Sequence, residues 1–280
     1  MPVIKLSDLV RRITAPNPGR MTGNGTNTYL VGNEKVAVID PGPPIDSHIN
    51  EILGACGDRL KWILVTHTHP DHSPAASMLA ERSGAQLLGC VMPDDGHQDM
   101  SFTVKQNIQH GELLSSSEFV LEAIHTPGHV ANHYCYFLHQ DGLLFSGDHI
   151  MNGSSVVIIP PAGDMAHYLQ STELLAGFPI TAIAPGHGDV MDNPERVLKN
   201  IVRHRMIREK KIMRILREME QASLDQLLPP VYDDVDPALH RMAKLSLWAH
   251  VLKLEHEGQI KKRIVGHWAF GEELWVPSTR

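Results

Sequence analysis

Within six consecutive residues, His67-Thr68-His69-Pro70-Asp71-His72, the chain sets three imidazoles and one carboxylate close enough to converge on a single point. Neutral imidazole nitrogens and carboxylate oxygens are the donors that hold zinc, and they suit manganese or iron as well. Three further candidates follow short apolar runs: His129 in Thr126-Pro-Gly-His129, Asp148 in Ser146-Gly-Asp148, and His187 in Pro185-Gly-His187-Gly188. Each adjoins a glycine, which permits a sharp turn and close backbone approach. A lone histidine after a strand is more often a solvated loop residue than a ligand. The cluster together with its glycine-flanked partners points instead to a dinuclear metal site, with Zn2+ as the expected ion and Mn2+ or Fe2+ as alternatives.

The elements that must aim these side chains are readable around them. The cluster follows the apolar, strand-length run Leu60 to Val65 and precedes a helical stretch from about Ser73 to Ser83 that Gly84 closes. Upstream, Thr28 to Val31, Gly32-Asn33 and Lys35 to Ile39 predict a hairpin stopped by Asp40-Pro41-Gly42-Pro43-Pro44. A short helix is expected at Ile49 to Ala55 and a strand at Gln86 to Val91. Further strands are expected at Phe119 to His125, His133 to Leu138, Gly142 to Ser146 and Ile180 to Ala184, with a helix near Tyr168 to Ala176. Such a mixture is α/β, sheets covered by helices.

After His187 the pattern becomes helical. Asn193 is expected to cap a helix with Pro194 at its first position and Glu195 near the positive dipole end. Leu198, Ile201 and Val202, then Ile212, Ile215, Leu216 and Met219, keep helical spacing. Ser223 to Gln226 reads as a capping box, Asp236-Pro237 opens a helix running to about Glu255, and Gly258 ends it. The expected organisation is a larger domain over 1–193 and a smaller one over 194–280, of three helices and a short ribbon.

Of the 280 residues, 42% are hydrophobic and 20% charged. No apolar run reaches the roughly 20 residues of a membrane span. The N-terminus has no secretory pattern, and Cys56, Cys90 and Cys135 are too few for a disulfide framework, so a reducing, cytoplasmic location is expected. The net charge of −7 is unevenly spread. Residues 1 to 194 carry nine Lys and Arg against twenty Asp and Glu, whereas residues 195 to 280 carry sixteen against twelve. An acidic first part argues against broad nonspecific adhesion to nucleic acid.

The H-x-H-x-D-H pattern of His67, His69, Asp71 and His72, with the ordered downstream ligands, resembles the metallo-β-lactamase superfamily. The resemblance implies an αβ/βα sandwich over roughly residues 1 to 192. It also implies that His67, His69 and His129 hold one metal, that Asp71, His72 and His187 hold the other, and that Asp148 bridges both. His69 stands where flavodiiron oxidoreductases typically have Glu, and Asp148 where many true β-lactamases have Cys. Both point towards the branch of glyoxalase II-like thioesterases and metallo-nucleases. The Gly25 to Gly32 opening, the His204-Arg-x-x-Arg-Glu209 pattern and Leu254-Glu-x-Glu-Gly258-x-Ile260 look like the lactamase-beta-like protein 2 group. That group adds a small winged-helix domain, and its best-known animal member is a mitochondrial endoribonuclease cutting single-stranded RNA.

Two divalent ions can share a water, lower its pKa towards about 7 and hold the resulting hydroxide in line with a carbonyl or phosphoryl centre. Asp71 is expected to orient that water and take its proton, and His133 to donate to the substrate or leaving group. Asn132 is a weaker candidate in the same region. Asp40 is expected to orient a ligand imidazole, and Tyr29 to be core. The basic residues Arg203, Arg205, Arg208, Lys210, Lys211, Arg214 and Arg217 spread around a helix with interspersed glutamates and read as a solvated face. Lys261-Lys262-Arg263, followed by Trp268 and Phe270, is the better nucleic-acid candidate. The leading expectation is a dinuclear zinc-dependent hydrolase, an endoribonuclease acting on single-stranded RNA; the alternatives are a glyoxalase II-like hydrolase of thioesters or other small esters and a non-catalytic nucleic-acid-binding regulator.

Overall fold

Backbone pairing sorts the strands of the N-terminal part into two six-stranded sheets. The computed structural model describes residues 2–153, 155–265 and 272–278. The first sheet has the order β1 (Ile4–Lys5), β2 (Val10–Thr14), β3 (Asn27–Val31), β4 (Val36–Ile39), β5 (Leu60–Leu64), β6 (Gln86–Leu88). Its β3–β4 hairpin is antiparallel as expected, while β4, β5 and β6 run parallel. The crossovers are α1 (Asp46–Cys56) and α2 (Ala75–Ser83), closed by Gly84 in the left-handed conformation. The second sheet runs β7 (Leu113–Ser115), β8 (Val120–His125), β9 (Tyr134–Leu138), β10 (Leu143–Gly147), β11 (Ala182–Pro185), β12 (Met191–Asp192). Only the β10–β11 pairing is parallel, with α3 (Met165–Leu175) as its crossover.

Side chains alternate along each strand between two apolar layers. Tyr29 and Val31 on β3 and Tyr134, Tyr136 and Leu138 on β9 meet in the layer between the sheets. Leu30 turns outward to Ile49, Ile52, Ala76 and Leu79 of α1 and α2, and Cys135 and Phe137 turn outward to Leu175 and Leu198. Strands covered on both faces read as unbroken apolar runs, which is why the central strands stood out in the sequence. The result is the expected αβ/βα sandwich.

The strands β1, β2, β7 and β12 were not expected. Two of them are two residues long, and β2 carries two arginines that leave the sheet sideways: Arg11 donates to Ala55 O and Gly32 O, and Arg12 pairs with Asp189. The expected strand to Val91 ends at Leu88, and α1 starts three residues before Ile49.

The helix α4 (Pro194–Met219) begins with Pro194, but Asn193 corrects the sequence reading: it takes a left-handed φ of 59° and makes no side-chain cap. Asparagine tolerates that conformation, and the turn redirects the chain out of β12. The expected capping box is present at α5 (Leu224–Val231), with both Ser223 and Gln226 bonds made. Asp236 caps a single 3-10 turn, Pro237–Leu239, ahead of α6 (His240–His256). The ribbon is β13 (Ile260–Val265) paired antiparallel with β14 (Glu272–Pro277). Leu198 of α4 packs on the second sheet, whereas Ile212, Ile215 and Leu216 pack with α5, α6 and Trp275. Among the described residues no helix is long and apolar enough to cross a membrane.

Candidate metal centre

The seven candidate ligands come from the loops that leave the C-terminal ends of four strands. His67, His69, Asp71 and His72 follow β5, His129 follows β8, Asp148 follows β10 and His187 follows β11. Their donor atoms group as His67, His69 and His129; as His67, His72 and Asp148; and as Asp71, His72 and His187. His69 Nδ1 lies 2.9 Å from His67 Nε2 and 3.1 Å from His129 Nε2. On the other side, His187 Nε2 is 3.2 Å from Asp71 Oδ2, and His72 Nε2 is 3.6 Å from the same oxygen. Asp148 stands between them. Its Oδ2 is 3.8 Å from His129 Nε2, while its Oδ1 is 3.4 Å from both His72 Nε2 and His187 Nε2.

Hydrogen bonds behind the rings fix which nitrogen faces the centre. The Thr66 hydroxyl donates to Asp40 Oδ2 at 2.8 Å, so the contact between Thr66 Oγ1 and His67 Nδ1 at 3.0 Å must carry the histidine's proton. That leaves His67 Nε2 bare. His129 Nδ1 donates to Val157 O at 2.8 Å, His187 Nδ1 to Gly25 O at 3.2 Å, and His72 Nδ1 to Asp40 Oδ2 at 2.9 Å. In its neutral form each of these rings presents an unprotonated Nε2 to the centre.

These residues fit a bound metal cation. Buried His72 Nε2, His187 Nε2 and Asp148 Oδ1 have no hydrogen-bond partner, which is costly for polar atoms unless something else satisfies them. The bare nitrogens of His67 and His129 both face His69 at a separation close to the about 3.3 Å between neighbouring ligands of a tetrahedral zinc. Two glycines keep the space open. A Cβ on Gly186 would sit 2.8 Å from His72 Cε1 and 2.9 Å from Asp148 Oδ1, and one on Gly147, whose φ is +46°, would meet Thr66 Oγ1 at 2.6 Å.

Electrostatics divides the cluster. Burial, reinforced by His72 and His69, drives the His67 imidazole well below its ordinary pKa, and burial with His129 brings His69 to about 4. Both imidazoles are neutral at pH 7. At His72 burial acts downward, but the carboxylates of Asp71, Asp148 and Asp40 outweigh it and push the ring well above its ordinary value; His187 is raised against burial by Asp148 and Asp71. Conversely, burial would raise Asp71 and Asp148, yet His72 and His187 hold both carboxyls below the ordinary range. Protons and a metal cation compete for these same atoms.

All seven predicted ligands converge, and Asp40 takes its expected place. Its Oδ2 receives His72 Nδ1 and the Thr66 hydroxyl, and its Oδ1 receives Thr66 N at 2.7 Å. Tyr29 is core, its hydroxyl donating to Pro185 O. His133 departs from the expectation of a proton donor to substrate. It is fully buried, its Nε2 accepts from Asp148 N at 3.2 Å and its Nδ1 faces Thr126 Oγ1 at 2.9 Å. Both nitrogens are engaged with protein, so His133 supports the Asp148 backbone. Asn132 likewise bonds Thr68 Oγ1 and Cys90 O. Sequence reasoning missed Thr66, although a hydroxyl just before the first ligand was a signal. It also missed the carbonyls of Gly25 and Val157, which no residue type announces. Of the α4 basic residues, Arg205 and Arg208 are buried, while Lys211 pairs with Asp233 and Arg214 with Glu218. Trp268 and Phe270 lie outside the described residues.

Residues 21–187 match the metallo-beta-lactamase superfamily, and residues 223–268 match the beta-lactamase-associated winged-helix domain. The chain belongs to the metallo-beta-lactamase superfamily and is a metal-dependent hydrolase. It is 31% identical over 257 residues to a beta-lactamase-like protein 2 homolog of Caenorhabditis elegans, covering 90% of this chain and 85% of that protein. A Drosophila melanogaster homolog of the same name is 30% identical over 273 residues, covering 92% of each. Thioesterase pkgB of Emericella nidulans is 33% identical over 216 residues, 75% of this chain and 60% of that protein. In three dimensions, a metallo-beta-lactamase family protein from Thermus thermophilus aligns with a TM-score of 0.77 at 18% identity, covering 98% of this chain and all of that one, which shows a shared fold.

Proposed function

We propose that the chain is a dinuclear zinc hydrolase acting on a thioester or another small ester. The observation that carries this reading is Asp148, whose two oxygens face the two separate groups of donors. Zinc suits a donor set of imidazoles with two carboxylates. When bound, such ions would acidify a water and polarise the attacked carbonyl.

The protein's own contribution is placement. His67 and His69 are held neutral, and the rings of His67 and His129 are aimed by Thr66 and Val157. Asp71, with 28% of its side chain exposed against 12% for Asp148, is the carboxylate open to solvent, and its depressed pKa keeps it ionised to orient water and receive its proton. With one proton passed to Asp71, the water oxygen bonds to the carbonyl carbon, the carbon–sulfur bond breaks with its electron pair going to the leaving thiolate, and the carboxylic acid formed releases its remaining proton to solvent. A thiolate suits this site because thiols ionise near pH 8.5, within about two units of neutrality, and need little help from an acid. His133, the donor expected from sequence, has both nitrogens engaged elsewhere. The relative named a thioesterase supports the same reading.

The second reading is cleavage of single-stranded RNA. It is supported by Lys261 and Arg263, exposed on β13 of the ribbon, whereas Lys262 is paired with Glu273. The test is one panel: full-length zinc-loaded chain against a thioester, an oxyester, a lactone, a cephalosporin and labelled single-stranded RNA. Zinc-dependent turnover of the thioester, lost in Asp71→Asn, is expected. RNA cleavage without thioester turnover would overturn the first reading in favour of the second. In that case Lys261→Glu with Arg263→Glu should weaken RNA binding and flatten its salt dependence.

A further inference from the structure

The His204-Arg-x-x-Arg-Glu209 stretch of α4 is rich in charge yet faces inward. Arg205, Arg208 and Glu209 are 5%, 6% and 4% exposed, so the solvated-face reading fails for these three. A buried guanidinium is costly unless its donors are used, and the partners of the two arginines differ. Arg208 donates to Val231 O and to both Asp234 oxygens and lies over the Tyr232 ring, all next to α5. Glu209 accepts from Lys253 of α6. Arg205 turns the other way, into the catalytic sandwich. Its Nη2 donates to Val156 O at 2.5 Å, and its guanidinium carbon lies 5.1 Å from the centre of the Tyr168 ring.

Both contacts lead, through one intervening residue, to a candidate ligand. Val156 precedes Val157, whose carbonyl receives His129 Nδ1 at 2.8 Å. The Tyr168 hydroxyl donates to His149 O at 3.0 Å, and His149 follows Asp148. Val156, Ile158 and Tyr168 are themselves buried together against Ala249 of α6, so the segment is held as a unit. We infer that Arg205 is a positioning residue for the metal centre, by which α4 fixes the orientation of the His129 ring and the bridging Asp148. Arginine suits the task because one planar group can donate in plane while its face stacks on an aromatic ring, which lysine cannot do. The inference rests on the ligand assignment proposed above.

The experiment is zinc titration of the full-length apo chain in competition with a chromogenic chelator, alongside thermal melts. Groups behind metal ligands typically cost about 10- to 100-fold in metal affinity when removed. Arg205→Ala is expected to weaken at least one of the two zinc-binding steps about tenfold, at the low end because it acts through a carbonyl. Tyr168→Phe, which deletes only the hydroxyl, should shift affinity in the same direction by less, and Arg205→Lys should recover part of the loss. Arg208→Ala removes an equally buried guanidinium whose partners lie beside α5, so it should lower the melting temperature but leave both affinities unchanged. Wild-type affinity in folded Arg205→Ala would overturn the inference, as would an equal affinity loss in Arg208→Ala. If Arg205→Ala does not fold, unchanged affinity in both Tyr168→Phe and Arg205→Lys overturns it. Failure of the wild-type chain to take up zinc would instead refute the ligand assignment, and the inference with it.

Discussion

Replacing Asp40 by asparagine removes one charge and almost no volume, so its effect reports on hydrogen bonding and charge rather than on packing. The carboxylate is 2% exposed and accepts three bonds: His72 Nδ1 at 2.9 Å and Thr66 Oγ1 at 2.8 Å on Oδ2, and Thr66 N at 2.7 Å on Oδ1. An amide has one acceptor oxygen. If that oxygen takes the Oδ2 place, the NH2 group faces the Thr66 N–H, donor against donor, and an unsatisfied buried donor costs about 1–3 kcal/mol. If it takes the Oδ1 place, the NH2 group faces His72 Nδ1 and forces the ring proton to Nε2, the atom that faces the centre. Either way the ligand geometry suffers by a comparable amount. Loss of such a partner is expected to weaken zinc binding about 10- to 100-fold, which is about 1.4–2.8 kcal/mol. Chelator competition reads the affinity directly. Thermal melts supply a second reading, because stabilisation by excess zinc grows as the logarithm of its concentration over Kd, and each tenfold loss removes about 1.4 kcal/mol of it. Unchanged affinity and an unchanged zinc-dependent melting shift in Asp40→Asn would refute the assignment of His72 as a ligand held by Asp40.

Asp148→Ala deletes the carboxylate that faces both donor groups, so elemental analysis is expected to find two zinc ions per chain in the wild type and fewer in the variant, with hydrolysis lost; full metal and full turnover in the variant would refute the proposed bridging role. Gly186→Ala places a methyl 2.8 Å from the His72 ring and 2.9 Å from Asp148 Oδ1, and zinc affinity should fall at least about tenfold; wild-type affinity would mean that these ligands lie elsewhere. Away from the site, burial pushes the His250 imidazole down to about 4 from 6.5, with Glu209 opposing and Arg205 and Lys253 assisting. Its contribution to stability is therefore full above pH 6.5 and lost as pH falls towards 4, where the unfolded chain binds the extra proton. The full loss is about 3 kcal/mol. In His250→Leu, denaturant titrations between those pH values should lose that slope, and an unaltered slope would refute it.

The candidate ligands were legible because a metal site requires side-chain donors, and side chains are what a sequence spells. His67 to His72 announced the centre, and the glycines before His129, Asp148 and His187 marked the turns that bring the rest. Central strands were legible for a related reason: buried on both faces, β4, β9 and β10 are largely apolar runs. What stayed hidden was the work of the backbone and of neighbours in space. The two-residue strands β1 and β12 owe their pairing to the adjoining strands. Val157 orients His129 through a carbonyl that any residue would offer. His133 looked catalytic because it lies four residues after a ligand, but Asp148, fifteen residues later, presents its N–H to that ring.

The same distinction explains why charge misplaced the role of α4. The composition changes near residue 194, and a boundary there separates an acidic part from a basic one. Packing does not respect it. Leu198 belongs to the outer layer of the second sheet, Tyr168 and Val156 cluster with Ala249 of α6, and Ile212 to Leu216 belong to the winged-helix core. One continuous helix thus has its first turns in the hydrolase and its last turns in the appended domain, with Arg205 and Arg208 pointing to opposite sides of the division. Charge counts residues along the chain, but a buried arginine is accounted for by the carbonyl and ring it meets. Here those partners place α4 against the segment that orients His129.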